Sequence, residues 1–227
     1  MLRDEESATP EQHVPGDVVD AVFAISCRSL PVDHAYALSQ AIQAALPWFA
    51  QEPDAGLHIV YGAASASGWV RPEGVDAVLQ LSHRAKLALR LPRHRLDDAA
   101  ALLGGTLQVA GWPLRVDRLS VRPLSRITTL FARCVVLAAA GDEPAFLAAA
   151  AAQLGGLGIN PGTMLCGRVT TVATAACTYQ TRSLMVAGLT PEQSLALQQH
   201  GLGAERKLGC GMFIPHKDIG DLRSRSD

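Results

Sequence analysis

Seven histidines are the side chains of this sequence best suited to proton transfer near neutral pH, because an imidazole has an ordinary pKa of about 6.5. One of them, His34, follows Asp33 at the start of a segment with helical spacing, and Tyr36 lies two residues later. Asp33 is a favourable N-cap, so the spacing predicts His34 in the first turn of a helix. His34 is therefore a candidate general acid or base, with Tyr36 placed to orient a substrate. The alternative is that both residues are structural, with the Tyr36 ring packed and its hydroxyl exposed.

A second candidate for proton transfer is His58, in the short apolar stretch 57–61. Strand alternation places His58 on the same face as Val60, which fits either a catalytic residue or a packed strand residue. The sequence contains no cluster of Asp, Glu and His at the spacing of metal ligands, which disfavours a two-metal nuclease. We therefore predict neither a metal site nor a cofactor.

Repeated glycines mark a loop between a predicted helix and a predicted terminal strand. Two Gly-apolar-Gly triplets, 201–203 and 209–211, enclose five residues that include adjacent cations. Glycine permits a positive φ and a close approach of the backbone to another molecule. The cations favour an anionic partner, whereas dinucleotide-binding and P-loop motifs place their glycines after a strand and before a helix. The residues of this loop predicted to contact an anion are Gly201, Gly203, Arg206, Lys207, Gly209 and Gly211.

The loop resembles the C-terminal glycine-rich loop of the repeat-associated RNA-binding superfamily, in particular its CRISPR-associated endoribonucleases. The stretch from Leu30 to Leu38 is similar to the start of that family's first helix, where a histidine and a tyrosine often occur. The resemblance implies a metal-independent endoribonuclease that binds CRISPR repeat RNA, often as a stem-loop, and cleaves precursor CRISPR RNA. Attack by the adjacent 2′-hydroxyl would leave a 2′,3′-cyclic phosphate and yield guide RNAs. The alternative is a non-catalytic RNA-binding scaffold subunit of a CRISPR interference complex, and other subunits of such a complex are possible partners.

The charge distribution favours an RNA-facing surface. Residues 1–81 carry 3 basic and 11 acidic side chains, whereas residues 82–133 carry 10 basic and 3 acidic ones. Nearly all of these cations are arginines, which bind phosphates through two parallel hydrogen bonds and stack on bases. The alternative is a solubilising face, which would more often mix both signs. The candidate RNA contacts in this basic segment are Arg84, Lys86, Arg90, Arg93 and Arg95.

Hydrophobic periodicity predicts the same order of elements twice, joined at residues 123–125. The first set comprises strand 17–27, helix 32–49, strands 57–61 and 85–91, helix 96–103, and a strand pair over 106–121 that turns at 110–111. The second set comprises strand 127–137, helix 143–154, a hairpin over 165–186, helix 191–199 and strand 210–215. The order β-α-β-β-α-β in each set predicts an α+β fold of two tandem ferredoxin-like domains, 17–122 and 126–219, after a flexible tail 1–16.

Length and composition agree with this class of protein. With 227 residues, of which 48% are apolar and 18% charged, the chain can bury a sizeable core. No apolar run reaches the roughly 18 residues of a membrane span, and the acidic, polar first 16 residues do not look like a signal peptide. We expect a cytoplasmic protein without a membrane partner. Five widely spaced cysteines indicate neither a disulfide framework nor a zinc site.

Overall fold

A computed structural model describes residues 17–62, 74 and 77–216. The predicted tail 1–16 and residues 217–219 lie outside the described residues. Residues 17–123 are called the first half and residues 124–216 the second half. The first half contains β1 (Val18–Ser26), β2 (Ser29–Pro31), α1 (Ala35–Ala45), β3 (Gly56–His58), β4 (Val78–Gln80), β5 (Lys86–Pro92), α2 (Leu96–Ala99), β6 (Thr106–Val109) and β7 (Trp112–Pro123). The second half contains β8 (Leu130–Val135), α3 (Glu143–Gly156), β9 (Thr163–Ala173), β10 (Thr178–Ala187), α4 (Pro191–His200) and β11 (Ile214–Pro215).

Each half is built on one antiparallel sheet. The five-stranded sheet of the first half has the order β3-β5-β1-β7-β6, and the four-stranded sheet of the second half has the order β11-β8-β10-β9. Alternation in β1 buries Val19, Ala21 and Phe23 in the core on one face, so Asp20 belongs to the opposite face. The candidates on this sheet, Arg90 and His58, lie on the same face as Asp20. Asp20 pairs in register with Arg90 of β5, and Arg90 pairs with Gly56 of β3, two residues before His58.

Two separate hydrophobic cores hold the helices on their sheets. Leu38 and Ile42 of α1 are fully buried in the first core, and Phe146 and Leu154 of α3 in the second. A third, smaller cluster combines residues from both halves with two residues of the glycine-rich loop: Ala35, Cys134, Val172, Leu208 and Cys210. The start of α1 is therefore packed directly against the second half.

Most predicted elements are present, and the turn at residues 110–111 is confirmed. Ala110 and Gly111 have φ values of 51° and 83°, as a tight two-residue hairpin connection requires. The short pair β2–β4 was not predicted, because three-residue strands give no measurable periodicity. Helix α1 begins later than predicted, since the Val32 amide instead donates to the carbonyl of Ala77 at 2.9 Å. No helix in the described ranges is long and apolar enough to span a membrane.

Candidate active site

His34 is placed at the N-terminus of α1 as its N-cap residue, with φ −93° and ψ −6°. The prediction that Asp33 caps the helix is therefore wrong by one residue, and the His34 side chain forms no capping bond. Its Nδ1 lies 2.8 Å from the carbonyl oxygen of Pro31. A carbonyl can only accept, so Nδ1 carries the proton and Nε2 is the basic nitrogen of the neutral ring. His34 thus has the tautomer that a general base needs.

The His34 side chain, only 1% exposed, lines a cavity of about 220 Å³ where the two halves meet. The first half contributes His34 and Tyr61 to its wall, and the second half contributes Arg133 and Thr170. The remaining lining residues are Val32, Asp33, Ala35, Ile59, Val60, Leu79, Phe131, Cys134, Thr171, Val172 and Ser183. A ligand in this cavity would contact both halves of the chain, together with an imidazole, a guanidinium and hydroxyl groups.

His58 ends β3 and is half-buried, with Nε2 3.2 Å from Oδ1 of Asp20. Because the carboxylate accepts, Nε2 carries the proton in this contact. Burial lowers the pKa of His58, although the Asp20 carboxylate opposes that effect. Burial would raise the pKa of Asp20, but Arg90 and His58 outweigh it and hold that pKa well below its ordinary value. His58 is therefore a mainly neutral ring held in a fixed orientation.

The second cavity, of about 180 Å³, contains His58 in its wall. Arg122, Arg133 and Tyr61 also line it, so it too has cationic and aromatic surfaces. Among the described residues, no group of three or more His, Cys, Asp or Glu is arranged to hold a metal ion.

Tyr36 is not brought into either of these two cavities. Its side chain is partly buried against the small cluster of Ala35, Cys134, Val172, Leu208 and Cys210. This packing is the structural alternative considered for Tyr36. Its predicted role in orienting a substrate at His34 has no support from the geometry.

The glycine-rich loop has the backbone that its sequence predicts, but it packs on its own chain. Gly201, Gly203, Gly209 and Gly211 all have positive φ, between 67° and 84°. A Cβ on Gly203 would overlap the carbonyl oxygen of Val136, and one on Gly209 would lie 3.0 Å from the carbonyl oxygen of Leu57. Gly201, Gly209 and Gly211 are buried. The space at the Cβ positions of Gly203 and Gly209 therefore holds the backbone of this chain, and the approach of the loop glycines to RNA stays a prediction.

Comparison with known proteins places this arrangement in a family. A family model described as "Cas6 Crispr" matches residues 19–218. The chain is also 32% identical over 197 residues to the CRISPR-associated endonuclease Cas6 of Myxococcus xanthus (strain DK1622), an alignment covering 87% of this chain and 81% of that protein. The chain belongs to the Cas6 family.

Solved structures agree on the fold of this Cas6 chain. A CRISPR associated protein Cas6 superposes with a TM-score of 0.63 at 12% identity, covering 89% of this chain and 100% of the other. A Cas6-related protein from Pyrococcus furiosus superposes with a TM-score of 0.58 at 10% identity, covering 88% of this chain and 99% of the other. At such low identities the similarity establishes a shared mixed α+β fold.

The loop cations of this Cas6 chain hold the loop to the first half. Arg206 donates from Nη1 to the carbonyl of Gln199 at 2.8 Å and from Nη2 to that of Asp54 at 3.2 Å. Lys207 Nζ donates to the carbonyls of Glu52 and Ala55. Burial lowers the pKa of Arg206 to about 10 and that of Lys207 to about 8. These bonds tie both cations to the backbone of their own chain, and their contact with RNA stays a prediction.

Two arginines of the basic segment are also structural. Arg90 is 0% exposed and ion-paired with Asp20, with Nε 2.8 Å from Oδ1. Arg95 pairs with Glu52 at 3.2 Å and Asp98 at 2.9 Å. Burial contradicts an RNA contact for Arg90, and neutralisation by two carboxylates argues against one for Arg95. The other cations predicted for this role, Arg84, Lys86 and Arg93, are exposed and remain candidates.

Sequence reasoning did not single out Arg133 and Tyr61, which line both cavities of this Cas6 chain. The available signal was the alternation in β8, where Phe131 and Arg133 interrupt a series of buried residues. An arginine in a strand otherwise suited to a core indicates a side chain that leaves the core for a specific contact.

Replacing Gly203 with alanine should destabilise the protein more than the same change at Gly104. Both glycines have φ 75°, where alanine costs about 1–2 kcal/mol. A Cβ on Gly104 meets no atom within 4 Å, whereas one on Gly203 overlaps Val136. Denaturant midpoints of the two variants measure the difference directly. Equal losses of stability would contradict the packing described for the loop.

Proposed function

We propose that this Cas6 chain is a metal-independent endoribonuclease that binds CRISPR repeat RNA and cleaves precursor CRISPR RNA into guide RNAs. The observation that carries the proposal is His34, which lines a cavity between the two halves and whose Nδ1 bond to Pro31 leaves Nε2 as the basic nitrogen of the ring. Membership of the Cas6 family and a relative named as an endonuclease support it.

In the proposed reaction, His34 Nε2 accepts the proton of the 2′-hydroxyl next to the scissile phosphate. The 2′-oxygen forms a bond to phosphorus, and the bond from phosphorus to the 5′-oxygen breaks. The leaving 5′-oxygen takes up a proton from water and His34 releases the proton it accepted to solvent, so the products carry a 2′,3′-cyclic phosphate and a 5′-hydroxyl. A positioned general base of this kind contributes about 10² to 10⁴ in rate.

The fold that presents His34 is proposed to be two ferredoxin-like domains, 17–122 and 126–219. Strand order supports this assignment. Along the sheet of the first half the strands lie in the order β3, β5, β1, β7, with β6 added at the edge. Counted along the chain without β6, these are the second, third, first and fourth strands of the sheet. Along the sheet of the second half, counted from the β9 edge, the strands lie in the order β9, β10, β8, β11, which are again the second, third, first and fourth strands. Helices α1 and α3 follow the first strand of each set, and α2 and α4 precede the fourth.

Exposed cations are proposed to bind the RNA outside the cavities. Lys86 is the first residue of β5, Arg84 lies two residues before it, and Arg93 lies directly after the strand. Such contacts to phosphates position an RNA without reading its sequence. The repeat is proposed to bind as a stem-loop, whose folded backbone offers phosphates to both halves.

Cleavage of repeat RNA should persist in excess EDTA, because the proposed reaction uses a histidine base and no metal-bound water. A repeat carrying a 2′-deoxy group at the scissile nucleotide should bind with nearly unchanged affinity and remain uncut, since it lacks the nucleophile. Product ends analysed by mass spectrometry should include a cyclic phosphate.

Loss of cleavage in EDTA with recovery in magnesium would contradict the histidine mechanism. Tight binding of the repeat without cleavage under any condition would instead identify a scaffold subunit. Neither binding nor cleavage of the repeat would reject the proposed function altogether.

A further inference from the structure

The two histidine-lined cavities are neighbours that share one wall. Among the described residues, the cavity of His34 and the cavity of His58 have four lining residues in common: Ile59, Tyr61, Phe131 and Arg133. Of these four, only Arg133 is charged. A single guanidinium therefore stands between two compartments, each containing one imidazole.

Aromatic contacts fix the Arg133 guanidinium in this wall. Its central carbon lies 4.1 Å from the centroid of the Tyr61 ring and 6.0 Å from that of Phe131. A cation held over an aromatic face is stabilised by the ring quadrupole. In any arginine stacked on a ring, the face of the guanidinium makes the contact and the N–H groups lie at its edge, in its own plane. That edge is the part of arginine that binds a phosphate through two parallel hydrogen bonds.

The charges facing Arg133 favour an anion at this wall. Asp33 and His34 face it from the first cavity, and Asp20, His58 and Arg122 from the second. Asp20 is already compensated by Arg90, at 2.8 Å, and accepts a bond from His58. Arg133 and exposed Arg122 therefore make the net charge of the second cavity's lining positive. Among the described residues that line the first cavity, Asp33 is the one carboxylate, and it is exposed.

We propose that Arg133 binds the scissile phosphate between two nucleotide subsites, an inference that rests on the proposed endoribonuclease function. The nucleotide with the attacking 2′-hydroxyl occupies the cavity of His34, and the nucleotide that follows it occupies the cavity of His58. A chain of RNA must pass from one cavity to the next across their common wall, and the group that joins two nucleotides is the phosphate.

This arrangement gives the two histidines different tasks. His34 presents its basic Nε2 to the nucleotide that attacks. His58 directs its Nε2 proton to Asp20, and this bond fixes the ring as a contact for the departing nucleotide rather than as its acid. His58 is in this sense a positioning residue.

Binding of a neutralised phosphate tests the proposal. The ligands are repeat RNAs with a 2′-deoxy group at the cleavage site mapped with the wild-type protein, with either the natural phosphate or an uncharged methylphosphonate there. For the wild-type protein the methylphosphonate should weaken binding about 10- to 100-fold, the range expected for a charge-assisted hydrogen bond. For Arg133→Ala the same replacement should cost no more than about two-fold.

Arg115→Ala is the matched control, because Arg115 is an exposed arginine paired with Asp117 at 3.0 Å and lines neither cavity. It should retain the wild-type response to the methylphosphonate. Arg133→Gln keeps much of the side-chain volume and replaces Arg133→Ala if thermal melting shows that the alanine variant is unfolded. Arg133→Lys should restore the response only in part, because lysine lacks the planar pair of donors.

An equal loss of affinity for the wild-type protein and the Arg133 variants would overturn the role of Arg133 and leave the endoribonuclease intact. A wild-type protein that neither binds nor cleaves the repeat would overturn both proposals.

Discussion

Replacing His34 with asparagine should slow single-turnover cleavage of repeat RNA by a factor of about 10² to 10⁴. Asparagine retains an N–H that can donate to the carbonyl of Pro31, which His34 contacts at 2.8 Å, but it has no basic nitrogen. The affinity for the repeat should change only a few-fold, because the phosphate contacts remain. Cleavage under enzyme excess and equilibrium binding of a 2′-deoxy repeat measure the two quantities separately.

His83→Asn is the control for this experiment, since His83 is exposed and should be silent. His58→Asn should weaken substrate positioning and leave more activity than His34→Asn. If His58→Asn abolishes cleavage while His34→Asn is nearly silent, the assignment of the base to His34 is wrong. If all three variants cleave normally, neither histidine of the two cavities transfers the proton.

The part of the site that could be predicted from sequence is the part built from local signals. The helix-start motif predicted that His34 lies at the start of a helix, and the spacing of the glycines predicted the positive φ values of Gly203 and Gly209. These properties depend on neighbours within a few residues. Periodicity likewise predicted the hairpin at 110–111 and the helix that becomes α4.

The partners of the cations could not be predicted, because they are distant in sequence. Arg90 pairs with Asp20 across 70 positions, and Arg206 donates to the carbonyl of Asp54 across 152. A basic segment looks the same in sequence whether its arginines face RNA or a buried carboxylate. The wall shared by the two cavities could not be predicted from sequence for the same reason, since Arg133 and Tyr61 meet only when the two halves pack together.

The correction for Arg90 changes what its replacement should do. Its guanidinium binds both oxygens of Asp20, and Nη1 donates to the carbonyls of Gln198 and Phe213 in the second half at 2.7 and 2.9 Å. Arg90 thus connects β1 and β5 to α4, through Gln198, and to the segment that follows the glycines, through Phe213. Removing it should act on stability rather than on the salt dependence of RNA binding.

Arg90→Met should lower the free energy of unfolding by about 3–5 kcal/mol, since it leaves the Asp20 carboxylate buried without its main counter-charge. Urea denaturation at neutral pH measures this loss. The double variant Asp20→Asn with Arg90→Met should be more stable than Arg90→Met alone, because it removes the uncompensated charge. If Arg90→Met is as stable as the wild type but binds RNA more weakly, the structural role of Arg90 is wrong and its predicted contact with RNA is supported.

The same ion pair predicts how stability depends on pH. Arg90 and His58 hold the pKa of Asp20 well below its ordinary value despite burial. A depressed pKa in the folded state means that ionised Asp20 stabilises the wild-type protein above the ordinary aspartate pKa of about 3.9. This contribution is lost as the pH falls from that value toward the folded pKa. In Asp20→Asn this part of the pH dependence should disappear, so the stability curves of the two proteins should converge as the solution becomes more acidic. Parallel curves would mean that the Asp20 carboxylate is not held by Arg90 in the folded protein.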